Sequence, residues 1–257
     1  MLNFRNTNII FILLLIALIG YDIYSGLPFY VYIITAIVYS LFLFRGSYYV
    51  GSNFYFNIVC SAKTDKKQIA ISFDDGPVNE YTPQILELLA EYKVPAAFFC
   101  IGKRVKENEE LLKRVHEAGH IIGNHSYSHD TWFDLFSANK MYDDLRMMDA
   151  AMQKVIGLKP KLFRPPYGVT NPNLKKAVNK GNYIPGGWTI RSLDTVITDE
   201  RKLLTKVTKA LKPGAVVLFH DTGKAIPAIL PAFIKEAREQ GFEIVRLDKL
   251  LNLEPYV

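Results

Sequence analysis

At 257 residues the chain has room for one sizeable core or two small ones, and no segment of it repeats. Its 49% hydrophobic content and mean hydropathy of +0.07 are high for a soluble domain. The excess lies before Phe56, which points to a membrane portion followed by a globular one. The net charge of +6 is spread over many lysines, without an arginine-rich run or interleaved aromatics. That distribution argues against nucleic acid as a partner and for solubility or an anionic surface.

In chain order, the first elements are two apolar runs, Ile9 to Tyr21 and Leu27 to Phe44, separated by "DIYSG". A helix rises about 1.5 Å per residue, so crossing the roughly 30 Å hydrocarbon layer takes about 20 apolar residues. The second run is long enough, and the first becomes so by borrowing Asn8, Asp22 and Ile23. A signal-peptide core is the alternative for the first run. Against it, Arg5 is the one basic residue in front, no small-x-small cleavage site follows, and a second apolar run stands directly behind. The expectation is a transmembrane helical hairpin within residues 1–50, anchoring the chain in a cell membrane. Arg5 before the hairpin and Arg45 after it bias both ends to the cytoplasm. Were only the second run to span, the globular part would lie outside. Residues 51–67, with the polar "SAKTDKKQ" at Ser61 to Gln68, read as a linker whose lysines suit an anionic membrane surface.

From residue 68 to 257 short β-type runs alternate with amphipathic helical patterns. "QIAISF" precedes a helix over Thr82 to Tyr92, and "AAFFCI" precedes one helix over Lys103 to Ala118, stopped by Gly119. "HIIGN" leads to a long helix over Ala138 to Ile156, and "KLFR" to a helix near Asn173 to Asn179. "YIPGGWTI" reads as a fifth strand, followed by a helix from about Glu200 to Leu211. "GAVVLFHD", a helix near Pro227 to Gln240, and "FEIVRL" complete the series. Seven strands alternating with helices predict an α/β fold with a parallel sheet, as a barrel or an open sheet. Cys60 and Cys100 are far apart and form no C-x-x-C; the run "AAFFC" predicts a buried thiol at Cys100.

The polar residues of interest fall at the carboxyl ends of these strands. Asp74 and Asp75 follow the first, His125 and His129 the third, Arg164 and Tyr167 the fourth, Asp194 the fifth, and His220 and Asp221 the sixth. In parallel α/β architectures that edge is where ligand sites assemble. "HSYSH" spaces two imidazoles to meet one metal ion, and Ser126 stands where a zincin would need glutamate. One carboxylate of the Asp74–Asp75 pair can complete a two-histidine, one-aspartate hydrolytic site, leaving the other to take a proton. His220, held protonated by Asp194, could return a proton to a departing amine.

Together "SFDDGP", "HSYSH", "RPPY", "RSLDT" and "LFH" resemble the motifs of the polysaccharide deacetylase family, carbohydrate esterase family 4, or NodB homology domain. The resemblance runs from about Gln68 to Leu247. It implies a distorted or incomplete seven-stranded (β/α) barrel. Asp74 would be the catalytic base, and Asp75, His125 and His129 the ligands of a divalent metal, usually zinc, with Co2+, Ni2+ or Mn2+ as alternatives. Arg164 would orient the base, the Tyr167 backbone N–H would steady the oxyanion, and His220, paired with Asp194, would be the general acid. Leu218 would line the acyl pocket. The fourth motif departs from the family, which has Trp after the aspartate where this chain has Thr195. Trp188 or Arg191 is a candidate to fill part of the missing wall. The implied function is removal of N-acetyl or a related acyl group from an aminosugar of an envelope glycan such as peptidoglycan. If the domain faces the cytoplasm, a lipid-linked aminosugar losing formyl or acetyl becomes the substrate, and a membrane-tethered glycan-binding protein on a degenerate fold is the non-enzymatic alternative.

Overall fold

The structure, a computed structural model, describes residues 2–257. It opens with two apolar helices, α1 (Phe4–Ser25) and α2 (Tyr30–Tyr48), joined by a short turn. The Asn3 side chain caps α1, accepting from the Asn6 N–H, and the helix absorbs the residues that the apolar run alone lacked. At 22 residues it measures about 33 Å. The two helices run antiparallel: the Tyr32 hydroxyl donates to Asp22 near the turn, and Tyr39 donates to Asn8 at the other end. Both are long and apolar enough to cross a membrane, with their apolar side chains turned outward.

The remaining elements are β1 (Gln68–Asp74), α3 (Thr82–Glu91), β2 (Ala96–Cys100), α4 (Gly102–Glu107), α5 (Glu109–Glu117), β3 (Ile121–Asn124) and α6 (Ala138–Ile156). They continue with β4 (Leu162–Phe163), α7 (Pro172–Gly181), β5 (Ile184–Pro185), β6 (Ile190–Arg191), α8 (Glu200–Lys209), β7 (Val216–His220), α9 (Ile226–Glu239), β8 (Glu243–Ile244) and α10 (Leu247–Leu251). All strand pairings are parallel, in the order β5-β4-β3-β2-β1-β7-β6, and β8 pairs with the first two residues of β1. Seven strands thus follow one curled path, as expected for an incomplete (β/α) barrel, and β8 joins the sheet as an eighth.

Two readings of the sequence need correction. The single helix expected over Lys103 to Ala118 is broken at Asn108, whose backbone leaves the helical region. There the Asn108 amide donates to the carbonyls of Pro77 and Arg104, fastening the β1–α3 loop. The single strand expected at "YIPGGWTI" is two, β5 and β6, and they lie at opposite ends of the sheet. Gly186 and Gly187 provide the break between them.

Because β5 and β6 do not pair, the barrel has a seam. Residues 51–67 run along it. The Val59 N–H donates to Pro185 O, the Gly187 N–H to Val59 O, and the Ala62 N–H to Gly214 O, so the strap bridges the two edges. Val50, Phe54, Tyr55 and Ile58 are buried there. The hairpin base is fastened beside them: the Phe4 N–H donates to Phe54 O, and Thr170 donates through its N–H to Ser47 O and through its hydroxyl to Gly46 O.

The period-two alternation of strands divides the core. Ile69, Ile71 and Phe73 of β1 and Val217 and Phe219 of β7 face the helices, with Leu230 and Phe233 of α9. Ala70, Phe99, Ile121, Leu162 and Val216 fill the interior, closed by Leu247 and Leu250 of α10. Ser72, Asp74, Leu218 and His220 share the inward parity, so the chemistry sits directly on top of the packed interior.

The strap's contact with β7 demands glycine at 214, where φ is +75° and a Cβ would come within 2.2 Å of Ala62 O. Gly214→Ala is expected to destabilise the domain by roughly 1–3 kcal/mol. Thermal unfolding in detergent checks this, and protease sensitivity should rise first within residues 53–62.

Candidate active site

The site lies at the carboxyl edge of the sheet. β1 delivers Asp74 as its last residue and Asp75 just beyond it, and β7 delivers His220 beside Asp74 in register. β3 leads into the His125–His129 turn, β4 into Arg164 and Tyr167, and β6 into Asp194.

Arg164 is completely buried. Its Nη1 donates to Asp74 Oδ1 at 2.6 Å and to Ser72 Oγ at 2.8 Å, while Nε and Nη2 donate to the carbonyls of Gly186 and Gly187. The guanidinium also sits over the Phe99 ring, 3.9 Å from its centroid. A buried cation is tolerable when its donors are engaged and its charge is matched, and here four of the five N–H groups are bonded and Asp74 supplies the opposite charge. One oxygen of Asp74 is thereby fixed. The other, Oδ2, lies 3.9 Å from His125 Nε2.

Asp75, His125 and His129 converge: Asp75 Oδ1 is 3.5 Å from His125 Nε2 and 3.4 Å from His129 Nε2, and the three ligand atoms lie within 4.8 Å of one another. His125 Nδ1 is 2.9 Å from Arg164 O, a contact in which Nδ1–H donates and Nε2 keeps its lone pair for the site. Burial, with the neighbouring His125, pushes His129 down to about 4, so its imidazole is neutral near pH 7. Burial raises Asp75, but the His125 hydrogen bond and the charges of His125, His129 and His220 outweigh it and hold the carboxyl well below its usual range. A carboxylate and two imidazoles whose ligand atoms converge are the donor set of a hydrolytic zinc-type site, and the three residues fit such a cation.

The geometry is held under strain. Asp75 (φ 81°), Ser126 (φ 65°), His129 (φ 44°) and Tyr167 (φ 58°) all occupy the left-handed region, which costs each non-glycine residue about 1 kcal/mol or more. Arg104 donates to Asp75 O. Asn124 Oδ1 accepts from the Ser126 N–H at 2.7 Å, and Ser126 Oγ from the His129 N–H at 3.0 Å. Asp144 of α6 accepts from the N–H groups of Tyr127 and Ser128 at 2.7 and 3.1 Å.

Across the site, Asp194 grips His220 twice, accepting from its backbone N–H and facing its Nδ1, each at 2.7 Å. Ser192 Oγ donates to Asp194 as well. Burial lowers the His220 pKa, but the Asp194 hydrogen bond and charge, with Asp74 and Asp75, raise it by more, to about 9. Leu218 is buried two residues before His220 on the same inward face. Tyr167 is exposed, its ring 4.7 Å from that of His129. Trp188 packs over Gly168, where a Cβ would come within 2.6 Å of the indole, and its ring is 5.6 Å from the Arg164 guanidinium.

Several members of this assembly were not visible in the sequence reading. Ser72 could have been found, since it shares the inward parity of Asp74 in "IAISFD". Asp144 and Asn124 carry no local signal, because their role is to satisfy a loop 17 and two residues away. Asp221 is wholly buried behind the site. Its Oδ2 accepts from Thr82 Oγ1 at 2.6 Å, its Oδ1 has no partner, and burial raises it to about 7. Gly76 is required there, because a Cβ would fall 1.8 Å from Asp221 Oδ2.

The family profile for polysaccharide deacetylases matches residues 61–185, which include Asp74, Asp75, His125, His129, Arg164 and Tyr167. A peptidoglycan-N-acetylglucosamine deacetylase of Bacillus cereus is 36% identical over 197 residues, covering 73% of this chain and 90% of the relative. The chain belongs to the polysaccharide deacetylase family. The named deacetylases it resembles are hydrolases of amide bonds, and the chain is also 30% identical over 192 residues to the peptidoglycan-N-acetylmuramic acid deacetylase PdaA of Bacillus subtilis, covering 73% of each. Among solved structures it is similar to a peptidoglycan N-acetylglucosamine deacetylase crystallised with an N-hydroxybenzamide. That match has a TM-score of 0.72 at 27% identity and covers 77% of this chain and 94% of the other. A carbohydrate esterase family 4 pseudoenzyme from Bacillus anthracis matches with a TM-score of 0.70 at 28% identity, covering 76% of this chain and 68% of the other.

Removing the acceptor that holds the histidine turn should loosen the candidate metal site without unfolding the domain. Asp144→Ala is expected to weaken zinc binding by about 10–100-fold in chelator competition, while Asp144→Asn, which keeps an oxygen, retains most of the affinity.

Proposed function

We propose that this deacetylase is a membrane-anchored, metal-dependent enzyme that removes N-acetyl groups from an aminosugar of a cell-envelope polysaccharide, with peptidoglycan as the first candidate. One observation carries the reading: a convergent Asp75–His125–His129 triad stands between a spare, arginine-fixed carboxylate and a carboxylate-bound imidazole. The names of the relatives direct it to peptidoglycan.

A divalent cation on Asp75, His125 and His129, with zinc as the first choice, supplies Lewis-acid polarisation of the acyl oxygen and eases deprotonation of water. Asp74 Oδ2 takes the proton of the attacking water, while Arg164 keeps Asp74 oriented. The Tyr167 backbone N–H, held at a strained φ, is assigned to the developing oxyanion. His220 presents Nε2 and delivers its proton to the departing amine, Asp194 stabilising the imidazolium. Leu218 lines the acyl pocket, and Trp188 stands behind the Tyr167 turn, in place of the Trp missing at Thr195. Asp74 and His220, each in a charged hydrogen-bonded setting, are what a glycan-binding module on this fold would not need.

The anchor is residues 1–50, and the catalytic unit runs from residue 68 to 257 with 51–67 as its strap. The aromatic residues at the two ends of the hairpin support a spanning assignment, with Tyr21, Tyr24, Phe29 and Tyr30 exposed at the tip and Tyr48 and Tyr49 at the base. A second reading, deacylation of a lipid-linked aminosugar, is favoured by Thr170, which ties the loop three residues after Tyr167 to the hairpin. Acetate or formate release from peptidoglycan fragments and from lipid-linked aminosugars separates the two readings.

Asp74→Asn is expected to lower turnover by about 10²-fold or more at near wild-type metal content. Asp75→Asn and His129→Ala should instead lose metal, and metal analysis beside kinetics distinguishes the roles. The raised pKa of His220 means that its proton is present at neutral pH and lost as pH climbs through about 9. Activity should therefore fall on that alkaline limb, and Asp194→Asn should move the limb down by at least about one pH unit.

A further inference from the structure

Beyond Ser52, and among the described residues, the exposed large apolar side chains are Trp132, Leu135, Met147, Tyr167, Val196 and Val257. Four of the six lie on loops leaving the carboxyl ends of β3, β4 and β6, around the mouth of the site. The loops after β1, β2 and β7 expose none among the described residues. Such a one-sided collar is unexpected for a surface shaped by solubility alone.

The collar adjoins the hairpin. The loops of β4 and β6 flank the seam left by the unpaired edges, and the β3–α6 loop is tied to the segment after β4 as the Asn171 and Asn173 amides donate to Asp134 O and Phe136 O. Into the same seam the hairpin base is bolted, by Thr170 on Gly46 and Ser47 and by Val50 packed over Gly187. Three cavities surround that base. Arg45 lines one, Arg5 and Lys175 the second, and Lys63 and Lys212 the third, and no acidic residue lines any of them.

Leu135 and Val196, 74% and 72% exposed, are branched aliphatic side chains. Hydrocarbon receives such groups, whereas a sugar ring selects aromatic faces. Trp132, 66% exposed, is the residue type that settles at a headgroup boundary. The basic residues match the phosphates of an anionic leaflet.

We propose that the seam-side rim of the active site rests on the surface of an anionic bilayer. Trp132, Leu135 and Val196 enter the headgroup layer, and Arg5, Arg45 and Lys175 pair with lipid phosphates. The proposal rests on the reading of the hairpin as membrane-spanning. It places the mouth of the site at the lipid surface rather than free above it.

The test uses the full chain in vesicles containing phosphatidylglycerol, with acyl chains brominated near the headgroup. Tryptophan emission is compared between the wild type and Trp132→Phe, which leaves Trp188 alone. The Trp132 component should be quenched at least about twofold, less so in pure phosphatidylcholine, and Leu135→Glu with Val196→Glu should reverse the quenching while activity on a soluble N-acetylated chitooligosaccharide persists. Trp132 emission indifferent to brominated lipid, or altered only by added oligosaccharide, overturns the proposal. Carbonate extraction keeps its failure separate from that of the reading beneath it: a chain that resists extraction yet shows no quenching refutes the rim contact alone, and an extracted chain refutes the spanning hairpin and the rim contact together.

Discussion

The buried pairing of Arg164 with Asp74 is the interaction on which the rest of this structure turns. A guanidinium with no exposure to water needs partners for its donors and a matching charge, and Arg164 reaches β1 through Ser72 and Asp74 and the β5–β6 turn through Gly186 and Gly187. It therefore joins the middle of the sheet to its open edge while fixing one oxygen of the carboxylate that faces the site. Loss of either partner would leave a charge uncompensated in the interior, a situation that typically costs about 3–5 kcal/mol. The same contact thus serves fold and chemistry, and each constrains the other.

Around that pair the backbone is bent into conformations that side chains resist. Four non-glycine residues of the site are left-handed, and around them stand donors and acceptors from other elements, Arg104 and Asp144, and from the turn itself, Asn124 and Ser126. The helices flanking the sheet are consequently more than covering layers. α6 contributes the acceptor that shapes the histidine turn, and the break at Asn108 between α4 and α5 exists where that side chain ties down the aspartate loop.

The incomplete barrel has a further consequence. A closed barrel would leave the helical hairpin tethered by a loose chain, but the seam between β5 and β6 admits residues 51–67 and the base of the hairpin. Hairpin base and the β4 loop of the site become neighbours because both occupy the same gap.

The sequence by itself determined the alternation of strands and helices, the two apolar helices, and the edge on which Asp74, Asp75, His125, His129, Arg164 and His220 would gather. These features follow from periodicity and from the one-sided chemistry of parallel sheets, which are local properties of the chain. Ser72 was legible in the same way, by parity with Asp74. It took the folded chain to show that "YIPGGWTI" supplies two opposite edges, that the helix after Gly102 breaks at Asn108, that Asp144 supports the histidine turn from α6, and that Asp221 is buried against Thr82. Each of those depends on a hydrogen bond or a close approach between residues far apart in the chain, and no pattern read along one segment can register a partner that folding alone brings within 3 Å.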